Sequence, residues 1–416
     1  MINKKRLLDN FLKYVKVDTQ SIEGVDKIPS SPGQLELAKI VAEDLKRAGV
    51  HDIKLEEQGY LFGTIPSNID SDKVPTVAYV AHFDTCSETS GVGVKPRIIE
   101  NYKGQKIDYP ANNDISLTVE DDQELKTCFG HTILVSDGTT VLGADDKAGI
   151  AEIVEMAYYF KENPDKKHGK IRIAIMPDEE VTTGSHNLNL KLLETDVAYT
   201  IDSVGLGALD IESFNGYKGK ISVTGTPAFP GYGKGVYLNA AKVLSDFVSL
   251  MPDKLWPQNA EGREGLWWVD DFKGGVGHAE MLVYLRDFDL DGIKKQQKIL
   301  DNIKKDILKK YPEAKIDINI SESYKNYKHE LDKDKRIVEY AKDAIKRIGV
   351  EPTPISVRGG NDCCHFCFGG LLSTNIFAGF KLMHSLKEWV SLEVMEKAVE
   401  NIVELSKVWM ERTTNK

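Results

Sequence analysis

Apolar residues recur along the first half of the chain in two alternating rhythms. Over 34–48 they fall at helical spacing, and Gly49 ends the run. Residues 53–55 read as a strand, and 61–65 as a hairpin-like pair. Residues 76–81, 171–176 and 197–201 are near-continuous apolar runs rich in β-branched side chains, which is the pattern of strands buried on both faces. Between them a helix is predicted from Lys147 to about Phe160, and Leu7, Leu8, Phe11, Leu12 and Val15 mark an amphipathic helix near the N-terminus. Such alternation argues for an α/β fold: a mixed, mostly parallel sheet with helices on both faces.

The middle of the chain changes character. Strand patterns at 220–225, 280–286 and 316–320 are separated by helical patterns at 236–250 and 292–310. This set predicts a smaller α+β sandwich, a lid-type domain inserted into the first. The expected boundaries are 1–213 and 327–416 for the main domain and 214–326 for the insertion. Helices at 335–348 and 392–410 belong to the resumed main domain, which also supplies Arg358-Gly359-Gly360 and His384. The connection holding Asn112-Asn113-Asp114 and Glu120-Asp121-Asp122 reads as a solvated loop for most of its length.

With 416 residues the chain is long enough for two domains. Its net charge of −10 and the absence of a basic run disfavour nucleic acid as a partner. No apolar stretch approaches the ~20 residues of a membrane span, and the basic start followed by Asp9 does not read as a signal peptide. Five cysteines, an odd and small number, suggest a reducing cytoplasm. Cys363-Cys364-His365-Phe366-Cys367 reads as a helix or turn of small buried thiols; a metal knuckle is the alternative, without a second ligand pair at finger spacing.

Candidate chemistry sits where the apolar runs stop. His82 and Asp84 follow one run, Glu179 and Glu180 a second, Asp202 a third; Asp145 precedes a helix, and His384 stands alone with Glu388 four residues on. Strand ends of an open α/β sheet face the ligand crevice. Two imidazoles with at least three acids suit two metal ions, one histidine each and a shared aspartate. Asp84 stands two residues beyond His82, on the same face of an extended backbone, and can accept the spare imidazole N–H. Glu179 adjoins Glu180 and is placed to deprotonate a water. Asp146 and Lys147 read as the cap and start of a helix. Arg358 is an ion-pair residue or a contact for a substrate carboxylate or carbonyl; the two neighbouring glycines favour the second.

These segments resemble the cocatalytic two-zinc exopeptidases, the family of carboxypeptidase G, the aminoacylases and the peptidase T type of tripeptide aminopeptidase, the last most nearly. The matching stretches are His82-Phe83-Asp84-Thr85, Gly143-Ala144-Asp145-Asp146-Lys147-Ala148-Gly149, Pro177-Asp178-Glu179-Glu180, Tyr199-Thr200-Ile201-Asp202, Arg286-Asp287-Phe288-Asp289 and Arg358-Gly359-Gly360 with Asp362. The resemblance implies that His82, Asp145 and Asp202 hold one zinc and Asp145, Glu180 and His384 the other. Asp84 would orient His82, Glu179 would be the general base, and Asn215 and Arg358 would contact substrate. It implies removal of the N-terminal residue from tripeptides, with a dipeptidase or N-acyl amino acid hydrolase as the alternative. A homodimer through the inserted domain is the expected assembly.

The chain departs from the family pattern at four places. Phe229-Pro230-Gly231 stands where the family carries His-Pro-Gly, whose histidine assists the substrate carbonyl. Ser203 and Val204 replace two glycines, Thr182 replaces a glycine, and Asn361 replaces a threonine. Phenylalanine donates no hydrogen bond, so a metal-retaining peptide binder with little turnover is a further alternative, unless Tyr232 or Lys234 compensates.

Overall fold

The computed structural model describes residues 1–71 and 73–414. Two compact units emerge. The larger comprises Met1–Ile211, Glu330–Ile355 and Asn361–Lys416; the smaller comprises Glu212–His329 and Ser356–Gly360. The expected insertion at 214–326 thus shifts by two or three residues, and one assignment is corrected. Arg358-Gly359-Gly360 belongs to the smaller unit, because Phe214 donates its backbone N–H to the carbonyls of Val357 and Gly359.

In the larger unit an eight-stranded sheet runs in the order His51–Leu55, Leu61–Ile65, Ile171–Met176, Val77–His82, Val197–Ser203, Ser373–Phe377, Ala208–Ser213, Thr353–Val357. The four strands from Ile171–Met176 to Ser373–Phe377 are mutually parallel. Leu61–Ile65 and Ala208–Ser213 flank them antiparallel. Burial on both faces follows from the period of two. Ala78, Val80, Ala174, Met176 and Ala198 share a core with Leu188, Leu193, Phe366 and Leu371. The alternate residues Tyr79 and Tyr199 point the other way: Tyr79 donates to Ile402 O and Tyr199 to Ile337 O, which lie on helices Leu392–Thr414 and Arg336–Arg347. The α/β expectation therefore holds, with helices on both faces.

Asn113, Asp114, Glu120 and Asp121 are exposed, as a solvated loop requires, but the chain on either side of them is structured. Arg97–Ile99 and Ile133–Val135 join Trp389–Ser391 and Phe380–Lys381 in a four-stranded sheet. Tyr102, Ile107, Tyr109, Leu117, Leu125 and Trp389 fill a core behind it. Asp122 is buried and accepts from Glu124 N and Trp389 Nε1. The apolar residues here are too widely and irregularly spaced to give a helical or strand period.

The smaller unit is an antiparallel sheet in the order Leu266–Gly274, His278–Asp287, Asn215–Thr224, Lys315–Tyr324. Helices Ala240–Ser249 and Leu290–Lys310 pack on it around Val243, Phe247, Trp267, Met281, Leu285 and Leu300. The first of these helices starts later than its apolar pattern. Leu238 pairs with Thr226, and the Asn239 side chain caps the helix by accepting from Lys242 N. The Cys363-Cys364-Cys367 run lies buried on helix Asp362–Phe368. Among the described residues no helix is long and apolar enough to cross a membrane.

Helix Ala144–Glu162 carries a buried acid, Glu152, whose two oxygens lack a hydrogen-bond partner. Burial pushes its carboxyl well above the ordinary 4.5. The folded chain then holds a proton that the unfolded chain releases. The group's contribution to stability is full below that ordinary value and is lost as pH rises toward the folded one, at up to ~1.4 kcal/mol per pH unit. Glu152→Gln removes the titration. The fall in unfolding free energy over about pH 5–8 should be shallower in the variant; parallel profiles would contradict this.

Candidate active site

The carboxyl end of Val77–His82 delivers His82, the turn after Ile171–Met176 delivers Glu179 and Glu180, and Val197–Ser203 delivers Asp202. Asp145 comes from the entrance to helix Ala144–Glu162, where Asp145 and Asp146 are non-helical and their peptide is cis. Asp146 caps the regular helix, accepting from Gly149 N at 3.2 Å, and its other oxygen accepts from His82 N at 3.2 Å. Gly149 is required: a Cβ there would lie 2.5 Å from both Asp146 Oδ1 and Ile201 O.

The structure brings the five predicted ligands together. His82 Nε2 lies 3.0 Å from Asp145 Oδ1 and 3.6 Å from Asp202 Oδ1. His384 Nε2 lies 2.9 Å from Glu180 Oε2 and 3.5 Å from Asp145 Oδ2. Asp145 thus points one oxygen at each imidazole. Donor atoms of His82, Asp145 and Glu180 fall within 4.8 Å of one another, as do those of His82, Asp146 and Asp202. Asp146, read from sequence only as a cap, is therefore also a candidate ligand.

Two carboxylates outside the ligand set hold it in place. Asp84 Oδ1 lies 3.3 Å from His82 Nδ1, without the alignment of a hydrogen bond. The same carboxylate accepts the backbone N–H groups of Glu179 (3.0 Å) and Glu180 (3.1 Å), so one side chain fixes both the histidine and the Glu-Glu turn. Glu388, fully buried, accepts from Gly143 N at 2.8 Å and Asp145 N at 2.9 Å and so holds the Asp145 loop. Its proximity to His384 in sequence hinted at a ligand; its contacts make it a positioning residue.

The electrostatics are those of acids crowded without counter-cations. Burial and then Asp145 push Glu180 up to about 8 and Asp202 up to about 7. Burial and then Asp362 raise Glu179, and burial and then Asp202 raise Asp146, both well above the carboxylate range. Asp145 alone is held low: burial opposes ionisation, but hydrogen bonds from His384 and His82 outweigh it. The bond to Asp145, then that to Glu180, carries His384 up to about 12. Among the described residues no lysine or arginine pairs with these acids, and one buried Glu180 oxygen and His82 Nδ1 lack partners. Lys147, though buried nearby in sequence, donates to Val17 O. Divalent cations fit this donor set, since they replace the excess protons and satisfy the orphaned oxygens.

The two expected substrate contacts lie in the smaller unit and are bound to backbone there. Asn215 is buried, gives both amide hydrogens to Asp287 O and Phe288 O, and accepts from Asn326 N. Both of its donor hydrogens are therefore engaged within the smaller unit. Arg358 donates to Gly262 O and Ala260 O and sits over the Phe214 ring. Phe229 is 72% exposed, its ring 5.7 Å from that of Tyr232.

The departures from the family pattern also have places. Thr182 adopts φ 62°, the left-handed region natural to the glycine it replaces and strained by ~1–2 kcal/mol in a residue with a Cβ. Ser203 and Asn361 both reach Asp210: the Ser203 hydroxyl donates at 2.7 Å and the Asn361 amide lies at 3.5 Å.

Comparison with known proteins places the chain in a family. A profile described as Peptidase family M20/M25/M40 matches residues 138–407. Peptidase T of Clostridium perfringens (strain ATCC 13124) is 38% identical over 408 residues, 98% of this chain and 100% of that protein. Two solved structures share the fold at 23% identity. Aminopeptidase PepT from Bacillus cereus superposes with a TM-score of 0.76 over 98% of this chain and 99% of its own. A tripeptidase from Staphylococcus aureus superposes with a TM-score of 0.77 over 99% and 100%. On the full-length identity, the profile match and the fold, the chain belongs to peptidase family M20/M25/M40 and is a peptidase.

Proposed function

We propose that the chain is a two-zinc aminopeptidase that releases the N-terminal residue of tripeptides. The observation that carries this reading is the Asp145 carboxylate, with one oxygen toward His82 and the other toward His384. His82, Asp145 and Asp202 would hold one ion, and Asp145, Glu180 and His384 the other. When bound, such a pair polarises the scissile carbonyl and acidifies the attacking water. Glu179 takes the water proton on its carboxylate and returns it to the departing amine nitrogen as the C–N bond breaks. Asp84 keeps the His82 ring and the Glu179 backbone in register, so that base and ligand move together. Arg358 is positioned by backbone carbonyls and remains the candidate for a peptide carbonyl or carboxylate.

The aminopeptidase assignment draws on the names of the similar proteins, peptidase T and tripeptidase. The cytoplasm is its proposed place, on the five free cysteines, and a homodimer through the smaller unit its proposed assembly. A panel of zinc-loaded assays tests the activity. Trialanine should yield alanine and dialanine, whereas dialanine and N-acetyl-trialanine should remain uncut. Faster cleavage of dialanine would favour a dipeptidase. Cleavage of the acetylated peptide would favour an acyl hydrolase, and stoichiometric binding without turnover a peptide binder.

A further inference from the structure

His384 has a second face. Its Nε2 turns to Glu180 and Asp145, but Nδ1 lies 3.8 Å from Glu88 Oε2. Donor atoms of Cys86, Glu88 and His384 all fall within 4.8 Å of one another. Cys86 is a reduced thiol whose sulfur has a weak contact, 3.9 Å, with Thr89 O. The same short loop grips the His384 backbone, because Thr89 Oγ1 donates to His384 O at 2.6 Å. His384 itself stands at φ 61°. Cys86 is buried, while Glu88 and His384 are exposed and give an ion a way in.

We infer that Cys86, Glu88 and the Nδ1 face of His384 form a separate site for a soft, thiophilic divalent cation, and that its occupation inhibits the enzyme. Thiolate, imidazole and carboxylate together suit a cation softer than zinc, such as cadmium, with solvent completing the set. Donor atoms around such an ion are roughly 3.5 Å apart. Closing this set asks for about 1 Å of movement, which the exposed Glu88 side chain can supply. On binding, the Cys86 thiol releases its proton to solvent and a metal–sulfur bond forms.

Inhibition follows from the chemistry of one imidazole. A neutral ring offers a single lone pair. If Nδ1 binds a cation, Nε2 carries the hydrogen and donates to Glu180 instead of serving as a ligand beside Asp145. As long as the ring stays neutral it can serve only one of the two cations, so an ion at Cys86 withdraws His384 from the catalytic pair. This inference rests on the proposed role of His384 as a ligand, although the occupation of the Cys86 site can be read by itself.

The test is cadmium titration of the full, zinc-loaded protein. Ultraviolet sulfur-to-cadmium charge-transfer absorption, bound cadmium after equilibrium dialysis and turnover are followed together. The wild type should gain one thiolate-bound cadmium per chain, and activity should fall in step. Cys86→Ser should keep the basal activity, lack that increment of absorption and need at least tenfold more cadmium for the same inhibition. Glu88→Gln should keep the absorption but shift it to higher cadmium. Equal absorption in wild type and Cys86→Ser, or equal inhibition of the two, would overturn the inference. Failure of the catalytic-pair reading would show differently, as fewer than two zinc ions per chain before any cadmium is added.

Discussion

Glu179→Ala should lose turnover by about 10²–10⁴-fold while keeping its metal. The glutamate stands beside Glu180 at the end of a central strand, yet only Glu180 touches an imidazole, at 2.9 Å from His384 Nε2. Burial and the neighbouring Asp362 lift Glu179 well above the carboxylate range. A carboxyl so poised gains most from nearby positive charge, which makes it ready to accept and return a proton. Its backbone N–H is bonded to Asp84, so removal of the side chain leaves the turn anchored. The measurement is kcat together with zinc content. A variant that loses zinc, paired with Glu180→Ala that retains it, would exchange the roles of the two residues.

The second large effect concerns Phe229, where the family pattern has a histidine. If the role implied by the family resemblance carries over, a donor at that place would stabilise the oxygen on which negative charge develops, and loss of such a donor costs about 10²–10³-fold in rate. Phenylalanine supplies none of this. The ring is 72% exposed and touches Tyr232, so Phe229→His should fold without a packing penalty. We expect it to raise kcat on trialanine by about tenfold or more, with less change in KM, the signature of an interaction made in the transition state. A wild-type kcat in the ordinary range of about 1–10³ per second, unimproved by the substitution, would show that another group already fills the role.

Much of the larger unit is legible in the sequence for a physical reason. Strands buried on both faces must be continuously apolar, so residues 76–81, 171–176 and 197–201 announce both themselves and the polar residues that follow them. The proposed ligands His82, Glu180 and Asp202 are read from those ends. His384 is different: it lies in a loop, and its place beside Asp145 emerges only in three dimensions. The same is true of Glu388, whose bonds to Gly143 and Asp145 span 245 and 243 residues. Asp84 looked like a partner for one histidine, and its second task, holding the Glu179 and Glu180 N–H groups, leaves no trace in spacing. Arg358 read as part of the resumed main domain because a short hairpin of chain, Ser356–Gly360, gives no signal of returning to the smaller unit. The core around Tyr102, Tyr109 and Trp389 was hidden by irregular spacing, and by acids such as Asp122 that serve as caps instead of facing solvent.

The central claim is that Asp145 joins two metal sites. Elemental analysis of zinc-loaded protein, after exhaustive dialysis, tests it most directly. Two zinc ions per chain are expected in the wild type and one in both His82→Ala and His384→Ala. Fewer than one is expected in Asp145→Ala, because its two oxygens face the two imidazoles at 3.0 and 3.5 Å and its loss weakens both sites. A wild type that retains a single ion, or an Asp145→Ala protein that still holds two, would contradict the account.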